Sequence, residues 1–203
     1  ELVRFGGFWS PVSVSVNPAD GTCWVADTYH YEVVKLSPDG TELFRQKMNI
    51  VPESVSVNPT DGTCWVLGGT IGKAIKLGPD GAELVSVGGF SSYPKSISVD
   101  PNNGECWVAD TNNPQGQVVK LSEDGTELLR AVGLSYPMSV SVNPSDGTCW
   151  VANSGSDQAV KLSPDGTEIL RFKGLAGPTS VSVNPGPSGP WLPRIFQNAS
   201  NVR

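Results

Sequence analysis

The sequence is poor in histidine and in basic residues. His30 is the one histidine among 203 residues. Histidine is the side chain most often used for general acid–base catalysis, and it needs a partner within hydrogen-bonding reach. Its scarcity argues against an enzyme of that kind. The chain has 14 lysines and arginines against 20 aspartates and glutamates, giving a net charge of −6. A field of that sign repels phosphate backbones, so we expect no nucleic-acid partner.

Long apolar runs and closely spaced cysteines are missing as well. No stretch of 18 consecutive apolar residues occurs, so we expect no membrane-spanning helix and no membrane partner. The four cysteines are spread through the chain without a CxxC pair. Paired thiolates that could hold zinc are therefore not predicted. We expect neither a metal nor another cofactor.

What the sequence does contain is a repeat. Near-copies of the stretch from Pro137 to Ala152 begin at Pro11, Pro52 and Pro94, and a truncated copy begins at Pro178. The five starting prolines are 41, 42, 43 and 41 residues apart. A period of this length is typical of architectures built from one repeated supersecondary unit.

The copy that begins at Pro11 reads as four short strands. Residues 13–16 alternate serine with valine, which is the periodicity of a strand. Residues 17–21 have turn composition, with a proline and a glycine. Further strands are predicted over 22–26, 33–36 and 41–45, and charge is concentrated on the last two. Four antiparallel strands in about 42 residues are typical of a β-propeller blade, so the predicted fold class is all-β.

Tryptophan and cysteine recur at fixed positions in every complete copy. Equivalent positions on adjacent packed sheets lie about 10 Å apart, whereas a disulfide needs Cα atoms closer than about 7 Å. We therefore interpret the cysteines as free packing residues. The tryptophans are expected to fill the space beside small serines of a neighbouring blade. The residues assigned this structural role are Trp24, Trp65, Trp107, Trp150, Cys23, Cys64, Cys106 and Cys149.

The repeat predicts a single propeller domain over residues 1–203 with five blades. The four complete blades cover residues 11–46, 52–87, 94–132 and 137–173. The opening segment 1–8 resembles the outermost strand near Glu83, and residues 178–183 resemble an innermost strand. We expect these two ends to share a composite fifth blade, because that arrangement leaves no free sheet edge.

The tail after Pro185 departs from the repeat. Prolines at 187, 190 and 193 argue against a central strand in this segment. We expect Trp191, Leu192, Ile195 and Phe196 to pack as an irregular substitute for the missing strands. The alternative is that the open blade edge pairs with a second chain. A monomer is favoured, with a dimer through the incomplete fifth blade as the second reading.

The repeat resembles the NHL-type propeller repeat over residues 1 to about 185. The similarity is carried by the segments Pro94-Lys-Ser-Ile-Ser-Val-Asp100, Glu105-Cys-Trp-Val-Ala-Asp110, Val118-Val-Lys-Leu121 and Asp124-Gly125. The resemblance implies mainly binding scaffolds, with a minority of lyase-type enzymes. The family's usual Asn and Arg after the second-strand Asp are replaced here by His30 and Glu32. RNA-binding members depend on a basic face, which this acidic chain does not have.

The loops that differ between copies are where a binding site is predicted. Hairpin turns inside the blades are nearly invariant, whereas the loops after the second strands and between blades vary. Ligand specificity belongs on such a variable face, because loops can change without altering the scaffold. The densest aromatic and titratable cluster consists of Trp9, Tyr29, His30, Tyr31 and Glu32, and it is the candidate binding site. Loop drift without function is the alternative interpretation.

Three classes of function remain open at this point. The leading hypothesis is a non-enzymatic binding scaffold for an unknown protein or small ligand. The second is an amplified or engineered propeller fragment without a selected ligand, which the near-identity of the copies favours. The third is a lyase-type enzyme, but one histidine leaves no catalytic residue that we would assign. A metal held by Asp27 and Asp110 is not favoured, because Leu67 and Asn153 interrupt the set.

Overall fold

Four antiparallel sheets of four strands each form the body of the chain. The computed structural model describes residues 4–111 and 116–184 and the backbone of 194–197. In each of the four sheets the strands are hydrogen-bonded in chain order. A fifth sheet contains two strands. The all-β class and the four-stranded antiparallel blades are therefore confirmed.

The strand bounds repeat closely from sheet to sheet. The first sheet contains β1 (Pro11–Val16), β2 (Cys23–Asp27), β3 (Glu32–Leu36) and β4 (Glu42–Lys47). The second contains β5 (Pro52–Val57), β6 (Cys64–Gly68), β7 (Lys73–Leu77) and β8 (Glu83–Val87). The third contains β9 (Pro94–Val99), β10 (Cys106–Asp110), β11 (Gln117–Leu121) and β12 (Glu127–Val132). The fourth contains β13 (Pro137–Val142), β14 (Cys149–Asn153), β15 (Gln158–Leu162) and β16 (Glu168–Lys173), with a 3-10 turn at Ser154–Ser156. The fifth pairs β17 (Pro178–Ser182) with β18 (Arg194–Gln197).

The chain divides into two compact units, Glu1–Pro94 and Lys95–Arg203. The first unit holds the first and second sheets. The second unit holds the third, fourth and fifth. Within the described residues, no helix has the length and apolar character needed to cross a lipid bilayer.

The invariant turns are fixed by side chains that bond their own backbone. Asn17 Oδ1 accepts the N–H of Ala19 at 2.9 Å, and Asp20 Oδ1 accepts the N–H of Thr22 at 2.9 Å. Gly21 follows with a φ of +73°, a backbone conformation that disfavours residues with a Cβ. The same Asn-Pro-x-Asp-Gly chemistry recurs at Asn143, whose Oδ1 accepts the N–H of Ser145 at 3.1 Å. These local bonds explain why the turn sequences hardly vary.

Serine hydroxyls join consecutive inner strands within each unit. In the first unit, Ser13 Oγ accepts the N–H of Val55 at 3.1 Å, and Ser15 Oγ accepts that of Val57 at 3.0 Å. The second unit repeats this pattern. There Val140 donates to Ser96, Val142 to Ser98, Val181 to Ser139 and Val183 to Ser141, at 3.1–3.3 Å. The sequence predicted only that these serines leave room for bulk, so the hydroxyl ladder is a role it did not reveal.

Three of the repeated tryptophans, Trp24, Trp107 and Trp150, lie in apolar clusters between consecutive sheets of a unit. Trp24 is fully buried with Val55, Val57 and Cys64 of the second sheet. Trp107 packs in a cluster with residues of the fourth sheet, and Trp150 packs in a cluster with Val181 of β17. Lys35 Nζ lies 5.1 Å from the centre of the Trp24 ring and donates to the carbonyl of Pro79 at 2.8 Å. These rings fill space between sheets, and their contribution to stability stays a prediction.

All four cysteines are free thiols. Cys64, Cys106 and Cys149 are buried, and Cys23 is half-buried. Burial raises the pKa of the Cys64 and Cys149 thiols strongly, and it also raises the pKa of Cys23. A raised thiol pKa lowers the thiolate fraction at neutral pH, and the thiolate is the nucleophile and metal ligand. The buried thiols are therefore poor nucleophiles, and their role as packing residues stays a prediction.

The two ends of the chain differ from the predicted composite blade. Residues 4–8 form no strand, and residues 1–3 lie outside the described part. The fifth sheet is antiparallel, with Val181 opposite Ile195 and Ser180 opposite Phe196, and its register shifts between Pro178 and Ser180. The expectation of an irregular tail is therefore wrong for residues 194–197, because the three prolines all precede this strand. Trp191 and Leu192 lie outside the described residues.

Candidate functional site

A buried carboxylate at the end of β2 organises the candidate site. The Asp27 side chain is fully buried. Its Oδ1 accepts the backbone N–H of Trp9 at 2.8 Å, and its Oδ2 lies 2.7 Å from Nδ1 of His30. The strand thus ends on a residue that holds both the incoming segment and the following loop. Asp27 thus bonds both the backbone of the segment before β1 and the His30 side chain, and the sequence analysis did not predict the bond to His30.

Trp9, Tyr29 and His30 form an aromatic platform above this carboxylate. The rings of Trp9 and Tyr29 are stacked, with centroids 5.4 Å apart and planes 25° apart. The His30 ring meets Trp9 edge-on at 5.7 Å. The N–H of Tyr29 donates to the carbonyl of Trp9 at 3.2 Å. Trp9 and Tyr29 are nevertheless 60% and 59% exposed, so the platform presents a large part of its aromatic surface to solvent.

Tyr31 is held in an unusual backbone conformation beside the platform. Its φ is +59°, in the left-handed region, and a non-glycine residue there costs about 1 kcal/mol. The corresponding loop residues of the second, third and fourth sheets are Gly72, Gly116 and Asp157, with φ of +56°, +51° and +55°. The N–H of Met48 bonds the Tyr31 carbonyl at 2.7 Å. Tyr31 is exposed, and among the described residues its ring stacks on none of the platform rings.

Glu32 belongs to an ion-pair network rather than to the platform. Arg45 on β4 lies 2.9 Å from Glu32, 2.9 Å from Glu42 and 3.5 Å from Asp27. The hydrogen bonds that Arg45 donates to Glu42, and then to Glu32, raise the pKa of its guanidinium above the usual value. Lys47 adds a longer contact to Glu32 at 3.8 Å. This network connects the outer strand to Asp27 and stiffens the base of the site.

A metal ion does not fit this cluster. One ligand atom each from Asp27, His30 and Glu32 lie within 4.8 Å of one another. The Arg45 guanidinium already contacts both carboxylates and supplies the positive charge they need. A cation in the same space would be repelled by it. In the second sheet, the residue equivalent to Asp27 is Gly68 at the end of β6, not Leu67, which is fully buried.

Arg45 is the member of the site that sequence reasoning missed. The signal was present, because the spacing Glu-x-x-Arg recurs in Glu42 to Arg45, Glu127 to Arg130 and Glu168 to Arg171. In the third sheet, Arg130 lies 2.6 Å from Glu127 and 3.9 Å from Asp110, and Gln117 Nε2 donates to Asp110 at 2.6 Å. The carboxylate anchor is therefore repeated there. The loop residues 112–115 that follow it lie outside the described part.

Comparison with solved structures identifies β-propellers. A chain of the nidogen/laminin complex superposes with a TM-score of 0.74 at 18% identity, covering 86% of this chain and 68% of that one. Virginiamycin B lyase from Staphylococcus aureus gives 0.73 at 17% identity, covering 85% and 59%. Kuenenia stuttgartiensis hydrazine synthase gives 0.70 at 16% identity, covering 80% and 48%. The nidogen and lyase neighbours are propellers of the NHL and YVTN types.

These similarities establish the class of protein, a β-propeller built from four-stranded blades. At 16–18% identity they show the fold alone. The chain spans 48% to 68% of the length of these structures. No protein-family model matches the chain, and no curated protein sequence matches it. Both binding proteins and a lyase occur among the neighbours, so the fold leaves the choice between them to the site.

Proposed function

We propose that this chain is an NHL-type propeller scaffold that binds its partner through the platform of Trp9, Tyr29 and His30. The observation that carries the proposal is the exposed stack of Trp9 on Tyr29 above the buried Asp27 carboxylate. Exposed tryptophan and tyrosine are typical anchors of binding surfaces. Here they are also fixed in place before any partner arrives.

Preorganisation strengthens the case for binding. The N–H of Trp9, the N–H of Tyr29 and the ring of His30 are each held by a hydrogen bond. A surface that is already ordered loses less conformational freedom on association, and this raises affinity. The stacked rings suit a peptide segment or small ligand that presents an apolar or cationic group. One structural neighbour comes from a complex between two proteins, nidogen and laminin.

The test is a binding selection with matched variants. A displayed library of random peptides is selected on the unaltered chain, and the enriched peptides are measured against Trp9→Ala, Tyr29→Ala and Tyr136→Ala. Tyr136 is a suitable control, because it is 60% exposed but belongs to the fourth sheet. We expect at least a tenfold loss of affinity, about 1.4 kcal/mol, for the first two variants and none for the third. Equal binding by all three would refute the proposed site.

An enzyme is the second candidate, and one observation favours it. The His30 ring is oriented by a buried carboxylate at 2.7 Å, as in catalytic dyads. The lyase neighbours supply a substrate to test, virginiamycin B. Incubation with the chain, followed by chromatography, is expected to show no conversion if the site only binds. Conversion that disappears in His30→Ala would establish the enzyme instead.

A fragment without a selected ligand makes a third, separate prediction. It would give no enriched peptide in the selection and no thermal shift in a screen of small molecules. Binding abolished by Trp9→Ala would exclude that reading.

A further inference from the structure

The inner edge of the first sheet exposes a row of valines. On β1, Val12, Val14 and Val16 are 51%, 64% and 58% exposed. At the equivalent positions of β5, Val55 and Val57 are 5% and 7% exposed. The same sequence is therefore buried in one sheet and open in another. We call Val12, Val14 and Val16 the valine edge.

The buried copies show what chemistry covers such an edge. The N–H groups of Val55 and Val57 point away from their own sheet and donate to Ser13 and Ser15 of the preceding inner strand. The same arrangement recurs in the second unit. There the N–H of Val140 donates to Ser96 Oγ at 3.2 Å, and that of Val181 donates to Ser139 Oγ at 3.3 Å. A valine edge is thus complementary to an inner strand whose third and fifth residues are serines, as Ser13 and Ser15 are in β1.

Two more described inner strands carry serines at these positions, and those of β5, Ser54 and Ser56, already have interaction partners. The other strand is β17. On β17, Ser180 and Ser182 occupy the positions of Ser13 and Ser15 relative to the starting proline. Neither hydroxyl bonds a described residue. Ser182 is exposed, whereas Ser15 and Ser141, which receive an N–H, are half-buried. We call Ser180 and Ser182 the serine edge.

We propose that the valine edge of one molecule docks on the serine edge of a second copy of this chain. The contact would place Val14 N–H on Ser180 and Val16 N–H on Ser182, reproducing the junctions already present within each unit. An open groove of about 300 Å³ beside the valine edge is lined by Phe8, Pro11, Val12, Ser13, Val14 and Val25. It offers apolar space at the place where Trp24 and Trp107 fill the corresponding internal junctions.

The contact is head-to-tail, which determines the form of the assembly. Two different surfaces meet, so a pair of bound copies still has one valine edge and one serine edge free. Heterologous contacts of this type build rings when the rotation closes and open filaments when it does not. This inference concerns the sheet edges and is independent of the proposed platform.

Light scattering after size exclusion, from micromolar to millimolar concentration, tests the proposal. The unaltered chain of 21.4 kDa is expected to gain mass as its concentration rises, to at least twice that value. Val14→Lys and Ser182→Lys should each limit the self-assembly. Ile169→Lys is the matched control, because Ile169 is equally exposed but lies on the outer strand β16. Circular dichroism establishes that all variants are folded.

Mixing the two variants tests the direction of the contact. Val14→Lys keeps an intact serine edge, and Ser182→Lys keeps an intact valine edge. Their mixture should form a one-to-one dimer that grows no further, since only one intact pair of edges remains. An unaltered chain that stays monomeric at every concentration would overturn the proposal, because its edges are then satisfied within one molecule. Assembly that persists in both single variants, or a mixture that stays monomeric, would overturn it as well.

Discussion

The first and fourth sheets have nearly the same backbone at the loop end but different chemistry. In both, the last residue of the second strand accepts the N–H of the residue 18 positions earlier: Asp27 from Trp9 at 2.8 Å, and Asn153 from Ser135 at 2.7 Å. The residue before each starting proline has a positive φ in both sheets, +57° at Ser10 and +49° at Tyr136. The repeat therefore fixes the loop geometry whatever side chains it carries.

The side chains of this loop form an aromatic surface in the first sheet and none in the fourth. Where the first sheet has Tyr29 and His30, the fourth has Gly155 and Ser156. Asn153 uses its oxygen, but its Nδ2 is buried without a hydrogen-bond partner. An aspartate at that position has a second carboxylate oxygen in place of Nδ2. In the first sheet this oxygen, Asp27 Oδ2, bonds His30. The comparison shows that a few substitutions on an unchanged frame create the platform.

The second sheet has apolar residues at the positions of Trp9 and Asp27 in the first sheet. Gly68 stands in the position of Asp27, and a Cβ added to Gly68 would lie 2.7 Å from a side-chain carbon of Ile50. Ile50, in the position of Trp9, is 2% exposed. An apolar plug thus replaces the carboxylate and its partners. Among the sheets whose loop is described, the platform is confined to the first.

Removing a shared tryptophan is expected to have the largest effect. Trp24→Ala and Trp150→Ala should each lower the free energy of unfolding by about 3–5 kcal/mol, because each leaves a cavity between sheets. Trp9→Ala removes an exposed ring and should cost about 0.5 kcal/mol. Denaturant titration measures all three. Similar losses of unfolding free energy for Trp9→Ala and Trp24→Ala would contradict the assignment of Trp24 to the packed interior and of Trp9 to the surface.

Truncating the last residue of the second strand should cost more stability in the first sheet, at Asp27, than in the fourth sheet, at Asn153. Asp27→Ala leaves the N–H of Trp9 and the His30 ring without their acceptor and removes one partner of Arg45. We expect a loss of about 2–3 kcal/mol in the free energy of unfolding. Asn153→Ala removes the acceptor of Ser135 alone, and about 1 kcal/mol should follow. Urea midpoints at neutral pH test the order, and equal losses would mean that the His30 contact adds nothing.

Exchanging the amide for a carboxylate should make the fourth sheet more like the first. Asn153→Asp removes the unpaired Nδ2 and places a charge where Arg171 can approach, as Arg45 approaches Asp27 at 3.5 Å. A gain of about 1 kcal/mol is expected at pH 7. Asp27→Asn is the reciprocal control and should destabilise the first sheet. A lower thermal midpoint for Asn153→Asp would show that the surroundings of residue 153 do not accept a carboxylate as those of Asp27 do, despite the similar backbone.

The smallest expected effect lies in the turns at the other end of the sheets. Hydrogen bonds from Ser163, and then from the backbone of Thr167, hold the pKa of Asp165 below its usual 3.8. A depressed carboxylate pKa adds stability that is present above about pH 3.8 and is lost as the pH falls through the folded pKa. Ser163→Ala should move the pKa of Asp165 back toward 3.8. NMR titration measures the shift, with Asp39 in its unaltered turn as the control.

The four complete sheets could be predicted, because packing and turning impose the same residues in every copy, whereas the two ends of the chain, which depart from the repeat, could not. Serine–valine alternation, Asn-Pro-x-Asp-Gly and the buried Cys-Trp pair each carry a signal that recurs in register. The site could be predicted only in part. Trp9, Tyr29 and His30 make aromatic contacts with one another. The Glu32 carboxylate lies near Asp27 and His30 but is paired with Arg45, which is 13 positions further along the chain and could not be recognised from the loop alone.

The equivalent free cysteines give every complete sheet a built-in chemical reporter. Cys64, Cys106 and Cys149 can react with a thiol reagent only after their own sheet opens, whereas Cys23 is half-buried in the native state. Labelling followed by mass spectrometry would therefore time the opening of the second, third and fourth sheets separately in one experiment. The order of labelling would reveal whether these near-identical repeats open one after another or all at once, with no cysteine introduced by mutation.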